Sequence, residues 1–248
     1  MQTAALLNDF ASRSFRDVAD HDYVAARMCY RAHLIPQFHW AGLQALEKYL
    51  KAILLFNRVP AKDVWHDLSR ALHHAKRLPF ELKMSSSTKE LIEHLDTYGR
   101  FRYLESSFFI DGPKLVQLDK AVWELRRYCK VLNYESKATG KNMLSCELAV
   151  IEAGERRPPQ TFPLAGGALE KILANKADPA RAPLLWQNAF FGLRTRAKVR
   201  MRLHSSAVNA PLTLHPELLD EVLKYIFLPN EVIVAYRKEL TERSSGRA

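Results

Sequence analysis

The chain has 248 residues, of which 48% are hydrophobic and 26% are charged, with nine Gly and twelve Pro. This composition excludes collagen-like, disordered and low-complexity proteins and predicts one or two globular domains. No apolar stretch approaches the roughly 20 residues that cross a bilayer, and no signal region opens the sequence, so we expect a cytoplasmic protein without membrane association. Three widely spaced cysteines predict neither a disulfide framework nor a metal site.

Positive charge is the first hint of function. Lys and Arg outnumber Asp and Glu by ten, and the isoelectric point is near 9.6. The excess is roughly +4 over residues 1–136 and roughly +6 over residues 137–248, with no acidic residue between Asp178 and Glu217. Such a balance favours anionic partners, and nucleic acid is the partner class it indicates.

The N-terminal half, residues 1–136, has the pattern of helices joined by short loops. Apolar residues recur at helical spacing over five segments, which are about 16–33, 37–57, 64–77, 88–108 and 114–133. The last of these has an apolar seam, and its opposite face carries charge at Asp119, Lys120, Glu124, Arg126 and Arg127. Five helices with short connections predict a mainly α, up-and-down helical bundle.

The second predicted helix is apolar nearly all round, which indicates a central position. Its polar exceptions are spaced i, i+3, i+4 and i+7, so they share one narrow stripe formed by Gln44, Glu47, Lys48 and Lys51. Glu47 precedes Lys51 in the orientation that favours a helical ion pair. The stripe is either a solvent-facing edge or part of a binding surface.

The character of the sequence changes after Lys137-Ala138-Thr139-Gly140, where proline and glycine become frequent. We therefore expect a boundary near 136–142 and a smaller basic C-terminal domain of α or α+β structure over residues 137–248. Residues 143–151 fit either a strand or a short helix. Short helices are expected near 169–174, 184–191, 216–227 and 230–242.

Several segments of the first half carry a family resemblance. They are Ala25-Ala26-Arg27, the run Gln44-Ala45-Leu46-Glu47-Lys48-Tyr49-Leu50-Lys51-Ala52-Ile53-Leu54-Leu55, and His66-Asp67-Leu68 with Leu72. Together they resemble the HEPN family of small helical domains. Tyr98-Gly99-Arg100-Phe101-Arg102-Tyr103 is similar to a tyrosine and arginine segment that often follows in that family. The resemblance covers about residues 15–134, and no fold is recognised in the rest.

The resemblance implies an up-and-down bundle that frequently forms a homodimer. Some members are metal-independent RNases of toxin–antitoxin and phage-defence systems, some pair with a nucleotidyltransferase, and some bind only nucleotides or RNA. The RNase members carry an Arg, about four to six residues and then a His, and two copies form a composite site. The arginine would hold the scissile phosphate while the histidine moves a proton at the ribose 2′-oxygen, without a metal.

Two pairs match the spacing of that catalytic motif, Arg16 with His21 and Arg27 with His33. Random placement of the arginines and histidines of this chain gives about two such matches. Both pairs also lie early in the chain, whereas the family usually keeps the motif late in the bundle. These four residues are the catalytic candidates if the protein is an RNase. Their early position, which departs from the usual position of the family motif, favours a protein that binds RNA without cleaving it.

The binding candidates form three groups. A nucleotide would be contacted by Gln44, Lys48, Lys51 and His66, although His66 equally fits a local cap. Arg100 and Arg102, set among tyrosines, suit stacked bases and phosphates or a place in the bundle. Every second residue from Arg194 is cationic, so a strand would align Arg194, Arg196, Lys198, Arg200, Arg202 and His204 on one face. That face suits a phosphate backbone or a charged, solvated edge strand.

These observations predict a protein that binds RNA, another nucleic acid or a nucleotide, with no cofactor and no metal, and the resemblance implies a homodimer in a defence or toxin–antitoxin system. Two alternatives stay open. One is a metal-independent RNase with a composite Arg/His site. The other is the partner module of a nucleotidyltransferase or an antitoxin, which needs no ligand of its own.

Overall fold

The computed structural model describes residues 3–99, 106–110, 112–155, 166–192 and 206–245. In these ranges the protein is mainly helical, which confirms the predicted fold class, and it has one two-stranded sheet. None of the described helices is both long enough and apolar enough to span a membrane. The helices are α1 Thr3–Phe10, α2 Asp17–Arg31, α3 Ile35–Phe56, α4 Leu68–Ala75, α5 Ser86–Tyr98, α6 Lys114–Arg126, α7 Leu144–Glu155, α8 Ala168–Ala174, α9 Arg181–Leu185, α10 Pro211–Leu214, α11 Leu219–Val222 and α12 Asn230–Ser245.

The chain divides into two compact units. The first comprises Met1–Arg100 and Pro113–Arg202, and the second comprises Phe101–Gly112 and Leu203–Ala248. This division differs from the predicted boundary near 136–142. The reason is that α8 and α9 pack on α2 of the bundle, so the region after the proline-rich change belongs to the first unit.

Helix α3 is the central element of the first unit, as its all-round apolar character predicts. It contacts α2, α4, α5 and α6. Leu46, Leu50 and Ile53 have no solvent exposure, and each such side chain contributes about 1.5–3 kcal/mol through burial. Pro36 occupies the first turn of α3, where its missing N–H leaves no helical bond unmade. The narrow polar stripe on α3 is therefore set on a rigid, buried scaffold.

Helix α5 ends at Tyr98, about ten residues earlier than the periodicity predicts. At Gly99, the C-cap of α5, an added Cβ would lie 2.6 Å from the carbonyl oxygen of Leu95, so a side chain does not fit there without a shift of the backbone. Phe108–Ile110 then forms strand β1, which pairs antiparallel with β2 at Ser206–Val208. Consecutive bulky residues favour an extended strand over the end of a helix.

The charged face of α6 is buried, although its sequence suggests an outward face. Asp119 and Arg126 are 0% and 1% exposed because α8 and the segment that includes α9 cover them. Arg27 forms an ion pair with Asp119 and donates to the carbonyl oxygens of Pro183 and Trp186. Burial and the Asp119 carboxylate raise the pKa of Tyr23, whose hydroxyl donates to Asp119 Oδ1 at 2.6 Å. Buried charges thus attach the later segment to the bundle.

A second ion network lies beside the first. Arg126 donates to both oxygens of Asp20 at 2.7 and 2.9 Å and to both oxygens of Glu170 at 2.6 Å. Asp20 also accepts from the hydroxyl of Tyr49 at 2.6 Å and from the backbone N–H of Leu169 at 3.1 Å. The buried charges of Asp20 and Arg126 are therefore compensated inside the first unit.

The second unit has a small core of its own. Ser107, just before β1, accepts from the N–H of Ala210 and donates to Thr213 Oγ1, both at 2.8 Å. The 3-10 turn Pro216–Leu218 connects α10 to α11. One cluster of buried apolar side chains in this unit consists of Leu212, Leu219, Leu228, Val232 and Tyr236.

The buried histidine of α3 predicts a pH dependence of stability. His39 is 1% exposed, and its Nε2 lies 3.0 Å from Nε2 of His94. Burial, with smaller contributions from His94 and Lys114, lowers the pKa of His39 from its ordinary value of 6.5 to about 3. Between about pH 3 and pH 6.5, therefore, His39 carries a proton in the unfolded chain but not in the folded chain. The stability that this difference contributes is complete above pH 6.5 and is lost as the pH falls towards 3.

We expect His39 alone to lower the free energy of unfolding by about 1.4 kcal/mol for each pH unit below its unfolded pKa. Urea unfolding at about pH 7, 6 and 5, followed by tryptophan fluorescence, measures this slope. The variant H39Q should have a shallower slope by that amount. The variant H73Q, which changes an exposed histidine in the same way, is the matched control for the substitution itself. Equal slopes for H39Q and the unaltered protein would contradict the prediction.

Candidate functional site

The polar stripe of α3 meets two other elements and forms a hydrogen-bonded group that we name the α3 polar cluster. It contains Asp22 of α2 and His66 of the loop between α3 and α4, together with the stripe residues Gln44, Glu47, Lys48 and Lys51. Lys48 Nζ donates to Asp22 Oδ2 at 2.6 Å and to Gln44 Oε1 at 3.0 Å. All four residues predicted as nucleotide contacts from the sequence are thus brought together.

Glu47 is the centre of the cluster. Its side chain is 3% exposed, and it accepts from Lys51 Nζ at 2.5 Å, which confirms the predicted i,i+4 ion pair. Glu47 Oε2 lies 2.8 Å from His66 Nδ1 and 3.4 Å from Gln44 Nε2. Burial acts to raise the pKa of Glu47, but the hydrogen bonds from Lys51 and His66 outweigh it, so the pKa is lowered. Glu47 is therefore a buried, fixed negative charge.

The loop that carries His66 is held on both sides. Val64 is 2% exposed, and Asp67 caps α4 by accepting from the N–H of Arg70 at 2.7 Å. Asp96 of α5 accepts from the N–H of Leu68 at 2.9 Å. Between these anchors His66 has φ of +50°, a left-handed backbone that costs energy in a residue with a Cβ. The anchors therefore hold His66 over Glu47 at the expense of backbone strain.

One tryptophan contacts the cluster, and another precedes His66 in the chain. Trp40, on α3, packs edge to face on the His66 ring with centroids 5.2 Å apart. Trp65, which precedes His66, is 77% exposed. The exposure of a large apolar indole to water is energetically unfavourable, and its flat face can stack on a ligand. An exposed aromatic side chain thus directly precedes the candidate binding histidine in the chain.

The formal charges of the cluster balance, because Asp22 and Glu47 oppose Lys48 and Lys51. Each ammonium has three N–H donors. Within the described part of the chain, Lys51 donates to Glu47 and Lys48 donates to Asp22 and Gln44, so three of the six donors remain. A ligand oxygen can accept these bonds without displacing either carboxylate. The cluster therefore suits one phosphate group better than a run of phosphates.

The first catalytic pair from the sequence is not assembled within one chain. Arg16 Nε donates to Asp17 Oδ1 at 3.0 Å, and the Arg16 side chain is 13% exposed at the end of the π-helical segment Ala11–Arg16. His21 is exposed on α2. Residues five apart on a helix point in different directions, so the two side chains do not share a face.

The second pair is not supported as a catalytic site. The Arg27 side chain is 0% exposed, and its guanidinium bonds to Asp119 and to two backbone carbonyl oxygens. A catalytic arginine has to reach a phosphate, and here the buried ion pair holds it in the interior. His33 lies on the surface after α2, with φ of +59°. Arg27 is thus a structural residue in this fold.

The remaining predicted contacts lie outside the described residues. Arg100 and Arg102 fall in the interval 100–105, and Arg194, Arg196, Lys198, Arg200, Arg202 and His204 fall in the interval 193–205. The expected nucleic-acid-binding role of both groups stays a prediction.

Sequence reasoning missed three features of the cluster and its border. Glu47 appears in the stripe, but its contact with His66 depends on the loop. Asp22 gives no signal, because it lies in a different helix from the lysine it binds. Trp65 stands directly before His66, and an aromatic beside a candidate binding histidine is the signal that would have indicated it.

Comparison with known proteins adds no relative. No family model, no curated protein and no solved structure matches the chain. The HEPN resemblance of residues 15–134 therefore stays a resemblance carried by the quoted motifs.

Proposed function

We propose that the protein binds single-stranded RNA, with the α3 polar cluster holding a phosphate and Trp65 stacking a base. One observation carries the proposal. Gln44, Lys48, Lys51 and His66, chosen from the sequence as nucleotide contacts, lie in one hydrogen-bonded cluster, and the exposed Trp65 directly precedes His66 in the chain. Stacking and a charged contact are the two elements by which proteins hold single-stranded nucleic acid.

The energetic balance of the site favours stacking over charge. Stacking one base on an aromatic side chain is worth about 1–3 kcal/mol. The cluster itself is formally neutral, so its phosphate contact relies on the three remaining ammonium donors. The positive charge of the whole chain, ten above neutrality, supplies the longer-range attraction to RNA. Binding should therefore weaken with salt while depending on Trp65 at any salt concentration.

The wider setting of the protein follows from the resemblance and from composition. As a member of the HEPN family it would form a homodimer in the cytoplasm and serve a defence or toxin–antitoxin system. A nucleotidyltransferase or an antitoxin would then be its protein partner.

The RNA proposal is tested by fluorescence anisotropy with a labelled single-stranded RNA oligonucleotide over a salt series. We expect W65A to weaken binding about tenfold, from the loss of one stacked base. K48Q should weaken it about threefold, since one phosphate contact is lost. F227A is the matched control for removal of an exposed aromatic side chain, because Phe227 is 86% exposed in the second unit. Unchanged affinity in both W65A and K48Q would exclude this site.

A further inference from the structure

A cavity of about 600 Å³ lies in the first unit, where the end of α4 and the loop after it meet the beginning of α5. We name it the α4–α5 cavity, and its lining residues fall between Leu72 and Lys89. Sites for small molecules commonly have volumes of about 300–1,000 Å³. We propose that this cavity binds a small amphiphilic monocarboxylate, which is a molecule with one carboxylate on an apolar chain. The inference goes beyond the proposed RNA binding, since the lining residues are distinct from the α3 polar cluster.

Apolar side chains make up most of the cavity lining. Two of them belong to α4 and the others to the loop that follows it, and they include Leu72, Ala75, Leu78, Phe80, Leu82 and Met84. An apolar chain that enters the cavity gains free energy in proportion to the apolar area that it removes from water. The lining therefore selects a ligand with an apolar body.

The loop that forms one side of the cavity is held in place by the bundle. The ring of Phe80 stacks on the buried Tyr128, with centroids 5.6 Å apart and an angle of 11° between the ring planes. At the end of the loop, the backbone N–H of Ser85 donates to Glu124 Oε2 of α6 at 3.0 Å. Because these contacts already order the loop, a ligand does not have to pay the entropy of ordering it.

Two lysines at the cavity have no ion-pair partner among the residues that the structure describes. Lys76 and Lys89 both line the cavity and are exposed, whereas the nearby Lys83 is paired with Glu152. Glu81 is the third charged residue of the lining and is also exposed. Two cations and one anion give the lining a formal charge of about +1. One carboxylate on the ligand neutralises this charge.

The apolar lining and the positive charge together determine the class of ligand. A neutral apolar molecule would leave the charge of the lysines uncompensated. The charged backbone of a nucleic acid would lose hydration against the apolar lining, which is unfavourable. A monocarboxylate places its apolar chain against the lining, and its oxygens can accept hydrogen bonds from an ammonium group.

The test is isothermal titration calorimetry of the full chain with three probes of related structure. We expect octanoate to bind at one site per chain. The neutral 1-octanol, which has the same chain length, should bind at least threefold more weakly. Acetate, which keeps the carboxylate but lacks the chain, should give no measurable binding. A chain that binds no octanoate, or that binds octanoate and 1-octanol equally, would overturn the inference.

Substitutions of the charged lining residues test the role of charge. K76Q/K89Q should weaken octanoate binding about tenfold and leave 1-octanol binding unchanged, since two partly exposed ion pairs are lost. E81Q should strengthen octanoate binding about twofold, because a repelling carboxylate is removed. K62Q/K176Q is the matched control, since Lys62 and Lys176 are exposed lysines of the first unit outside the lining. Octanoate affinity that is unchanged in K76Q/K89Q would contradict the proposal.

A cavity-filling substitution tests the location. L72W adds an indole to the lining and should abolish octanoate binding, while circular dichroism checks that the variant is folded. Octanoate that still binds to folded L72W with unchanged affinity would place the ligand on another surface. The exposed side chains of Tyr225 and Phe227 in the second unit would then be the next site to examine.

Discussion

Replacing Asp20 by Ala is expected to lower the free energy of unfolding by about 3–5 kcal/mol, the range for breaking a buried ion pair. Asp20 has no exposed surface and is one of two carboxylates that neutralise Arg126. Its removal also leaves the hydroxyl of Tyr49 and the N–H of Leu169 without their acceptor. The loss combines an uncompensated charge with two unsatisfied donors, which is why it should exceed that of an ordinary core substitution.

Urea unfolding at neutral pH measures the loss. The matched control is D9A, because Asp9 forms an exposed helical ion pair with Arg13, with side chains 60% and 76% exposed. Exposed pairs of this kind contribute about 0.3–0.5 kcal/mol. If D20A and D9A destabilised the protein equally, the Asp20 network would not hold the later segment to the bundle.

The second large effect is expected at the buried pair Arg27 and Asp119. R27M should lower the free energy of unfolding by about 3–5 kcal/mol, because Asp119 stays buried without its cation and two carbonyl oxygens lose a donor. The double variant R27M/D119L should recover at least half of that loss. Replacing both partners by apolar side chains removes the uncompensated charge, although the two carbonyl oxygens then lose their donor and the Tyr23 hydroxyl loses its acceptor.

The double-mutant cycle of R27M, D119L and their combination isolates the interaction between the two residues. A large coupling energy is expected, since both side chains are 0% exposed. Additive single losses would show that the pair does not act as a unit. RNA binding by R27M, measured at a temperature where the variant is folded, should be unchanged, because Arg27 lies outside the α3 polar cluster.

Most of the α3 polar cluster was predictable, because the spacing of its residues within one helix determines which of them share a face. The i, i+3, i+4, i+7 spacing of Gln44, Glu47, Lys48 and Lys51 places them on one face whatever surrounds the helix. The apolar character of the other faces predicts a central helix, and the structure confirms it. The contact of Glu47 with His66 was not predictable, since it depends on a left-handed turn that no spacing rule specifies.

The burial of the α6 face that carries Asp119 and Arg126 was not predictable, because it depends on a distant segment of the chain. Charged residues opposite an apolar seam usually face solvent. Here a segment more than 40 residues later covers them with Glu170, Pro183 and Trp186. Helical periodicity gives no information about a partner that lies so much later in the chain. For the same reason the boundary predicted near 136–142 differs from the division into compact units, since α8 and α9 pack on α2.

The pairing of β1 with β2 has a consequence for biosynthesis. Phe108 and Ile110 are paired with Val208 and Ser206, so the two halves of the sheet are separated by almost the whole later part of the first unit. During translation β1 leaves the ribosome long before its partner, and the unit made first folds while this strand is still unpaired. The side chains of Phe108 and Ile110, which are buried in the folded protein, have no partner strand until β2 is made. A chaperone that recognises short apolar segments would find its binding site there on the nascent chain.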